Sequence, residues 1–190
     1  QGSTVRQFSS AFKTLYSQSK VLIPNDLQRT AKNRKKLLSQ IATGDWDAVV
    51  IPHSFFDRIA DNPEREAALI QEQIEELENA MAAAAEEEGA SSPTVKQMEA
   101  AKKKKLKRLE SLQDRSTDDT LTFEEMGIDA LLIDEAHNYK RSEFSTKMGN
   151  IKGIDAGASK RSSSLILKSN FIREKTNNKN LLVFKSSIFL

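Results

Sequence analysis

Four short, continuous apolar runs divide the chain. They are Lys20–Ile23, Ala48–Ile51, Ala130–Ile133 and Asn180–Phe184. Runs of this kind are typical of strands covered on both faces of a parallel sheet, because a strand with one wet face alternates apolar and polar residues. Stretches with helical spacing of apolar residues precede or separate these runs, namely Arg6–Tyr16, Thr30–Thr43 and Lys160–Lys175. This alternation predicts an α/β fold built on a parallel sheet.

Residues 63–115 interrupt that alternation. Asn62, Pro63 and Glu64 form a strong helix start, and the segment from Gly89 to Pro93 ends one helix and begins another. The first helix is rich in glutamate and the second in lysine, and each carries an apolar stripe. We therefore predict an antiparallel helical hairpin, residues 63–115, inserted between residues 1–62 and 116–190 of one lobe.

Charge and composition limit the class of protein without deciding its function. The formal net charge is only +2, so charge alone does not indicate a nucleic-acid-binding protein. We assign the basic run Lys102–Arg108 to pairing with the acidic helix in preference to DNA. The chain has no cysteine, which excludes disulfides and thiolate metal sites. No apolar run approaches the roughly 20 residues of a membrane span, and we expect a soluble, cytoplasmic protein.

The tetrapeptide of Asp134, Glu135, Ala136 and His137 follows directly on the third apolar run. Ligands of open α/β sheets bind beyond the carboxyl ends of strands, so a buried strand would deliver both carboxylates to that edge. ATP hydrolysis needs Mg²⁺ to neutralise phosphate charge and a group that orients the attacking water. We predict Asp134 as the magnesium ligand, Glu135 as the general base and His137 as the sensor of the γ-phosphate. The alternative is that the carboxylates only cap a helix after a strand.

The run ALLIDEAHNYK, residues 130–140, resembles the Walker B strand and DEAH box of superfamily-two helicases. Four further stretches carry a narrower resemblance: Ile41–Ile59 (IATGDWDAVVIPHSFFDRI), Thr94–Met98 (TVKQM), Thr122–Gly127 (TFEEMG) and Thr146–Met148 (TKM). They look like the Swi/Snf-like helicase region of large helicase–DNA methylase proteins from bacterial mobile elements and phages. The resemblance implies a partial RecA-like lobe that uses ATP and Mg²⁺ on DNA, within a parent chain holding the remaining helicase lobe and a DNA methylase domain.

The resemblance also implies that the strand end at residues 51–55 faces nucleic acid. His53 and Ser54 would then contact a DNA phosphate, which positions the strand without reading its sequence. A simple turn, in which Ser54 caps a short helix, is an equally open alternative. Three residues just past the DEAH box are assigned to a solvated loop in preference to nucleotide or DNA contact: Tyr139, Lys140 and Arg141.

Two motifs of the family are missing from these 190 residues. No G-x-x-x-x-G-K-[ST] is present, and without that loop ATP loses its main phosphate contacts. After Leu181–Phe184 the chain continues as KSSIFL, where the family has a Thr-Gly-Thr-Pro-like segment, and we interpret this as a truncated or frame-shifted end. We therefore expect no ATP hydrolysis by this chain alone. The competing function is a non-catalytic protein-interaction or scaffolding module with a vestigial DEAH box.

Overall fold

A computed structural model describes residues 2–113, 121–139 and 160–183. Its helices are α1 (Gly2–Leu15), α2 (Arg34–Thr43), α3 (His53–Phe56), α4 (Pro63–Glu88), α5 (Pro93–Gln113) and α6 (Lys160–Lys175). Its strands are β1 (Val21–Leu22), β2 (Ala48–Val49), β3 (Leu131–Ile133) and β4 (Leu181–Val183). Short 3₁₀ turns cover Glu124–Met126 and Ala136–Tyr139. This mixture of helices and parallel strands is compatible with the predicted α/β class.

All four apolar runs form strands, and each strand is shorter than its run. β1 pairs in parallel with β2, and β3 pairs in parallel with β4. Pro24 and Pro52 follow the first two runs, where their missing N–H groups cannot extend a ladder. Within the described ranges no ladder joins the two pairs into one sheet, so the RecA-like arrangement remains a prediction.

The helices end close to the predicted residues, but two of them begin elsewhere. α1 begins at Gly2, four residues before the predicted Arg6. α2 begins at Arg34 and not at Thr30, because Asn25 and Gln28 exchange two 2.9 Å hydrogen bonds and hold the preceding segment as a turn. α6 has the predicted bounds. The polar segment Arg141–Ser159, which contains three glycines and which we interpret as a loop, lies outside the described residues. No helix in the described part of the chain is both long and apolar enough to cross a membrane.

Two compact units are present, Gln1–Ala60 with Asp119–Asp129, and Asp61–Asp118 with Ala130–Leu190. In the first unit, the segment around Phe123 packs against the region that follows α3. The Phe123 N–H donates to the Ala60 carbonyl at 2.9 Å, and the Phe123 ring meets the Phe56 ring edge-on with centroids 6.0 Å apart. Long-range packing therefore brings residues 121–129 back onto the first sixty residues.

Thr122 and Glu125 form half of a capping box. Oε2 of Glu125 accepts hydrogen bonds from the Thr122 backbone N–H at 2.7 Å and from its hydroxyl at 3.0 Å. Gly127 closes the turn with φ +71°, a left-handed conformation that suits glycine. The two hydrogen bonds lower the pKa of Glu125, the backbone N–H contributing most. A charged side chain thus fixes the start of this 3₁₀ turn.

In the second unit, α4 and α5 pack against each other as a pair. Asn62 caps α4, its Oδ1 accepting from the N–H groups of Glu64 at 2.9 Å and Arg65 at 3.2 Å. The seam between the helices is apolar, with buried residues from both: Ile70, Ile74, Leu77, Ala84, Val95, Met98, Ala101 and Leu112. Cross-helix contacts descend along α5 as they ascend along α4, which makes the pair antiparallel: Glu66–Arg108, Gln73–Lys105 and Glu78–Lys102. That this pair is an insertion remains a prediction.

Candidate functional site

The DEAH residues lie at the carboxyl end of β3, as predicted for a ligand-binding edge. Asp134 and Glu135 follow Ile133 directly, and both side chains are half-buried. β3 runs parallel to β4, with Ile133 in register with Val183. A parallel strand therefore delivers two adjacent carboxylates to its carboxyl edge, the position at which α/β proteins bind ligands.

The burial of the β3 and β4 side chains differs from the prediction. Leu131 and Ile133 are buried, but Leu132 is 55% exposed and its register partner Leu182 is 53% exposed. We predicted strands covered on both faces, whereas the described residues cover only one face of β3, and in β4 both Leu182 and Val183 are exposed. The continuous apolar run could not distinguish these cases, because it makes both faces apolar.

The backbone at Glu135 has an uncommon conformation. Its φ is +52°, in the left-handed region that a residue with a Cβ rarely adopts. The Glu135 N–H donates to Oδ1 of Asp134 at 2.8 Å, so the first carboxylate holds the peptide that carries the second. A left-handed residue costs about 1–2 kcal/mol, and such conformations cluster at functional sites. The uncommon conformation at Glu135 makes this turn a candidate for a functional site.

α6 holds the turn that follows the two carboxylates. The Ser162 hydroxyl donates to the Tyr139 carbonyl at 3.1 Å, and the Arg161 guanidinium lies 5.3 Å from the centroid of the Tyr139 ring. Assigning Tyr139 to a solvated loop was wrong, because its side chain is buried against α6. Lys140 and Arg141 lie outside the described residues. His137 belongs to the turn, but its side chain lies outside the described part.

The two carboxylates fit a magnesium ion that is held mainly by water and phosphate. Within the described ranges, no three His, Cys, Asp or Glu side chains converge as a metal-ligand set. Mg²⁺ at nucleotide sites takes one or two carboxylates and fills its remaining positions with water and phosphate oxygens. Asp134, with Glu135 next to it, supplies hard oxygen ligands of the right type. The chain's own residues thus fit the predicted ion without a protein cage.

His53 and Ser54 belong to the first unit, where they begin α3 after the extended residue Pro52. The side chain of His53 is half-buried and that of Ser54 is exposed. Ser54 borders a pocket of about 160 Å³, whose lining is Asp26, Arg29, Pro52, Ser54, Phe55 and Arg58. A hydroxyl and two guanidinium groups around one pocket can donate hydrogen bonds to an oxyanion such as phosphate.

A family model described as a probable helicase domain matches residues 2–188 of the chain. The chain belongs to this helicase-domain family. No curated protein and no solved structure matches it. Because the match covers residues 2–188, the whole chain is helicase-related. The relationship therefore rests on far more of the sequence than the DEAH tetrapeptide. The narrower resemblance, to Swi/Snf-like helicases with a methylase, stays a proposal.

Sequence reasoning missed two basic residues of this helicase domain that line the pocket at Ser54. Arg58 follows Ser54 by four residues, a spacing that places two side chains on one helical face and that could have suggested the pair. Arg29 is distant in sequence and gives no such signal. Its guanidinium forms an ion pair with the exposed Asp26, which leaves the pocket with a net positive charge.

Proposed function

We propose that this helicase domain is the part of the first ATPase lobe of a DNA helicase or translocase that carries the Walker B strand and DEAH box. The observation that carries the proposal is the position of Asp134 and Glu135 at the carboxyl end of a parallel strand. Family membership adds that the chain is helicase-related. The left-handed backbone at Glu135 supports the same site.

The proposed roles follow from the chemistry of each side chain. Asp134 holds Mg²⁺, which neutralises charge on the ATP phosphates when both are bound. Glu135 accepts a proton from the attacking water, and His137 responds to the γ-phosphate. His53 and Ser54 contact a DNA phosphate, and the guanidinium groups of the adjoining pocket add positive charge at that surface.

Within this proposal the chain is one part of a larger helicase protein. Its partners are DNA, the remaining helicase lobe and a DNA methylase domain of the same parent chain, in the cytoplasm of a bacterium or a phage-infected cell. The phosphate-binding loop comes from the parent, because these 190 residues contain no G-x-x-x-x-G-K-[ST]. We therefore expect the isolated chain to show no ATP hydrolysis above background with Mg²⁺ and DNA.

The test compares DNA-stimulated ATP hydrolysis by the full-length parent protein with hydrolysis by its Glu135→Gln variant. Loss of a general base lowers turnover by about 10² to 10⁴-fold, and we expect the ATP KM to change far less. Glu75→Gln, an exposed change on α4, is the matched control and should keep wild-type turnover. Equal turnover in wild type and Glu135→Gln would remove Glu135 from the chemistry.

A second candidate is a non-catalytic scaffolding module in which the DEAH box is vestigial. The missing phosphate-binding loop favours it for this chain taken alone. Extending the reading frame upstream separates the two candidates. A G-x-x-x-x-G-K-[ST] ahead of residue 1 supports the ATPase lobe, whereas a natural start codon at that point supports the scaffold.

A further inference from the structure

The basic side chains of α5 divide into two sets that face in different directions. One set contacts α4: Lys102 pairs with Glu78 at 2.6 Å, Lys105 donates to Gln73 at 2.8 Å, and Arg108 pairs with Glu66 at 2.5 Å. The other set is exposed and consists of Lys96, Lys103, Lys104 and Lys107. Pairing with the acidic helix therefore accounts for the first set alone.

The exposed set forms what we call the outer lysine face, namely Lys96, Lys103, Lys104 and Lys107. With 3.6 residues per turn, Lys96, Lys103 and Lys107 share one side of the helix and Lys104 flanks them. The opposite side of α5 is buried against α4 through its apolar residues: Val95, Met98, Ala101 and Leu112. No member of the outer lysine face forms an ion pair with another described residue.

Charge on α4 gives the helical pair two electrically opposite surfaces. α4 contains nine glutamates and one arginine, whereas α5 contains seven basic residues and two glutamates. Four of the α4 glutamates are exposed along its middle turns, namely Glu72, Glu75, Glu76 and Glu78, of which Glu78 pairs with Lys102. A polyanion is thus attracted to α5 and repelled by α4, which restricts the side from which it docks. α5 also carries Glu99 and Glu110, but these two negative charges are fewer than the four lysines, so the outer lysine face is net positive.

We propose that the outer lysine face binds the phosphate backbone of nucleic acid, an inference that rests on the proposed DNA-dependent function. Lys96 and Lys107 are about 16 Å apart along the helix axis, and Lys103 and Lys107 about 6 Å. One DNA strand carries a phosphate charge about every 3.4 Å along the duplex axis. The distance from Lys96 to Lys107 therefore corresponds to about five phosphates of one strand. Lysine ammonium groups bind phosphate as point charges and read no base, so the contact is independent of sequence.

The experiment measures binding of the 190-residue chain to fluorescein-labelled 20-nucleotide DNA, single-stranded and duplex, by anisotropy between 50 and 200 mM KCl. The test variant is K103Q/K104Q/K107Q. One control, K13Q/K32Q/K36Q, removes the same charge from exposed positions in α1, α2 and the segment before α2. The other, K103R/K104R/K107R, keeps the charge on α5. Circular dichroism confirms that each variant retains its helices.

We expect the test variant to weaken binding at least about tenfold and to lower the slope of log K against log salt by about 2 to 3, while both controls stay close to wild type. Equal weakening by the test variant and K13Q/K32Q/K36Q would mean that only bulk charge matters, which overturns the inference. Wild-type binding that the test variant leaves unchanged also overturns it, and the proposed function survives. No DNA binding by the wild-type chain overturns the inference, whereas the proposed function is tested separately by ATP hydrolysis in the parent protein. Tighter binding of labelled polyglutamate than of DNA would assign the face to an acidic protein and overturn the inference.

Discussion

The ammonium of Lys168 lies 2.8 Å from Oδ1 of Asp61, and the lysine side chain is fully buried. Ser164 completes a closed set of contacts, since its hydroxyl donates to Asp61 at 2.9 Å and accepts from Lys168 at 2.5 Å. Asp61 stands just before the cap of α4, and Lys168 lies on α6. This buried pair therefore fastens the base of the helical pair to the helix that also holds the turn after the DEAH box.

Removing one partner of this pair should be strongly destabilising. Lys168→Met leaves the Asp61 carboxylate buried without its cation, and breaking a buried pair in this way costs about 3–5 kcal/mol. Urea unfolding followed by circular dichroism measures the change. Combining Lys168→Met with Asp61→Leu should recover much of the loss, because no charge is then left uncompensated. A double variant no more stable than the single one would contradict the assignment of the cost to an unpaired charge.

The Ser162 hydroxyl should stabilise the turn after the DEAH box. Ser162→Ala removes its hydrogen bond to the Tyr139 carbonyl and is expected to cost about 1 kcal/mol. Amide hydrogen exchange of residues 136–139 should accelerate more than exchange in α4 and α5. Ser163→Ala, at the neighbouring half-buried position, is the control. If both variants have the same exchange pattern as wild type, Ser162 does not hold the turn.

The sequence predicts local structure here far better than it predicts long-range partners. The bounds of α6 follow from local patterning, and the pattern of one strand run is enough to place Asp134 and Glu135 at a strand end. Burial of Lys168 was not predictable, because lysine is rarely buried without a partner and its partner lies more than a hundred residues upstream. The left-handed backbone conformation of Glu135 was also not predictable from the sequence, since residues with a Cβ seldom adopt it.

Glu124 carries a carboxylate whose burial should cost stability. Both of its oxygens are buried and have no hydrogen-bond partner among the residues that the structure describes. An unsatisfied buried polar group costs about 1–3 kcal/mol, and more when it is charged. We expect Glu124→Met, which has similar length and no polar oxygen, to raise the free energy of unfolding by about 1 kcal/mol or more. An unchanged or lower urea midpoint would show that the carboxylate has a compensating partner.

Glu125, its neighbour, should make the stability of the first unit sensitive to acid. The Thr122 backbone N–H, and secondly its hydroxyl, lower the pKa of the Glu125 carboxyl below its ordinary value of 4.5. Because the pKa is lower in the folded chain than in the unfolded chain, the contribution to stability is fully present above pH 4.5. It is lost as pH falls through the folded-state pKa, when the unfolded chain binds the proton more readily. Glu125→Gln cannot ionise and should lose less stability between pH 6 and pH 3.

Thr122→Val separates the contributions of the two hydrogen bonds that lower the pKa of Glu125. The variant removes the hydroxyl at 3.0 Å but keeps the backbone N–H at 2.7 Å, which is the larger cause of the lowered pKa. Its loss of stability on acidification should therefore fall between those of wild type and Glu125→Gln. Urea midpoints at pH 6, 5, 4 and 3 give the comparison. A Thr122→Val profile that coincides with Glu125→Gln would place the whole effect on the hydroxyl, and would show that the backbone N–H does not hold the carboxylate in solution.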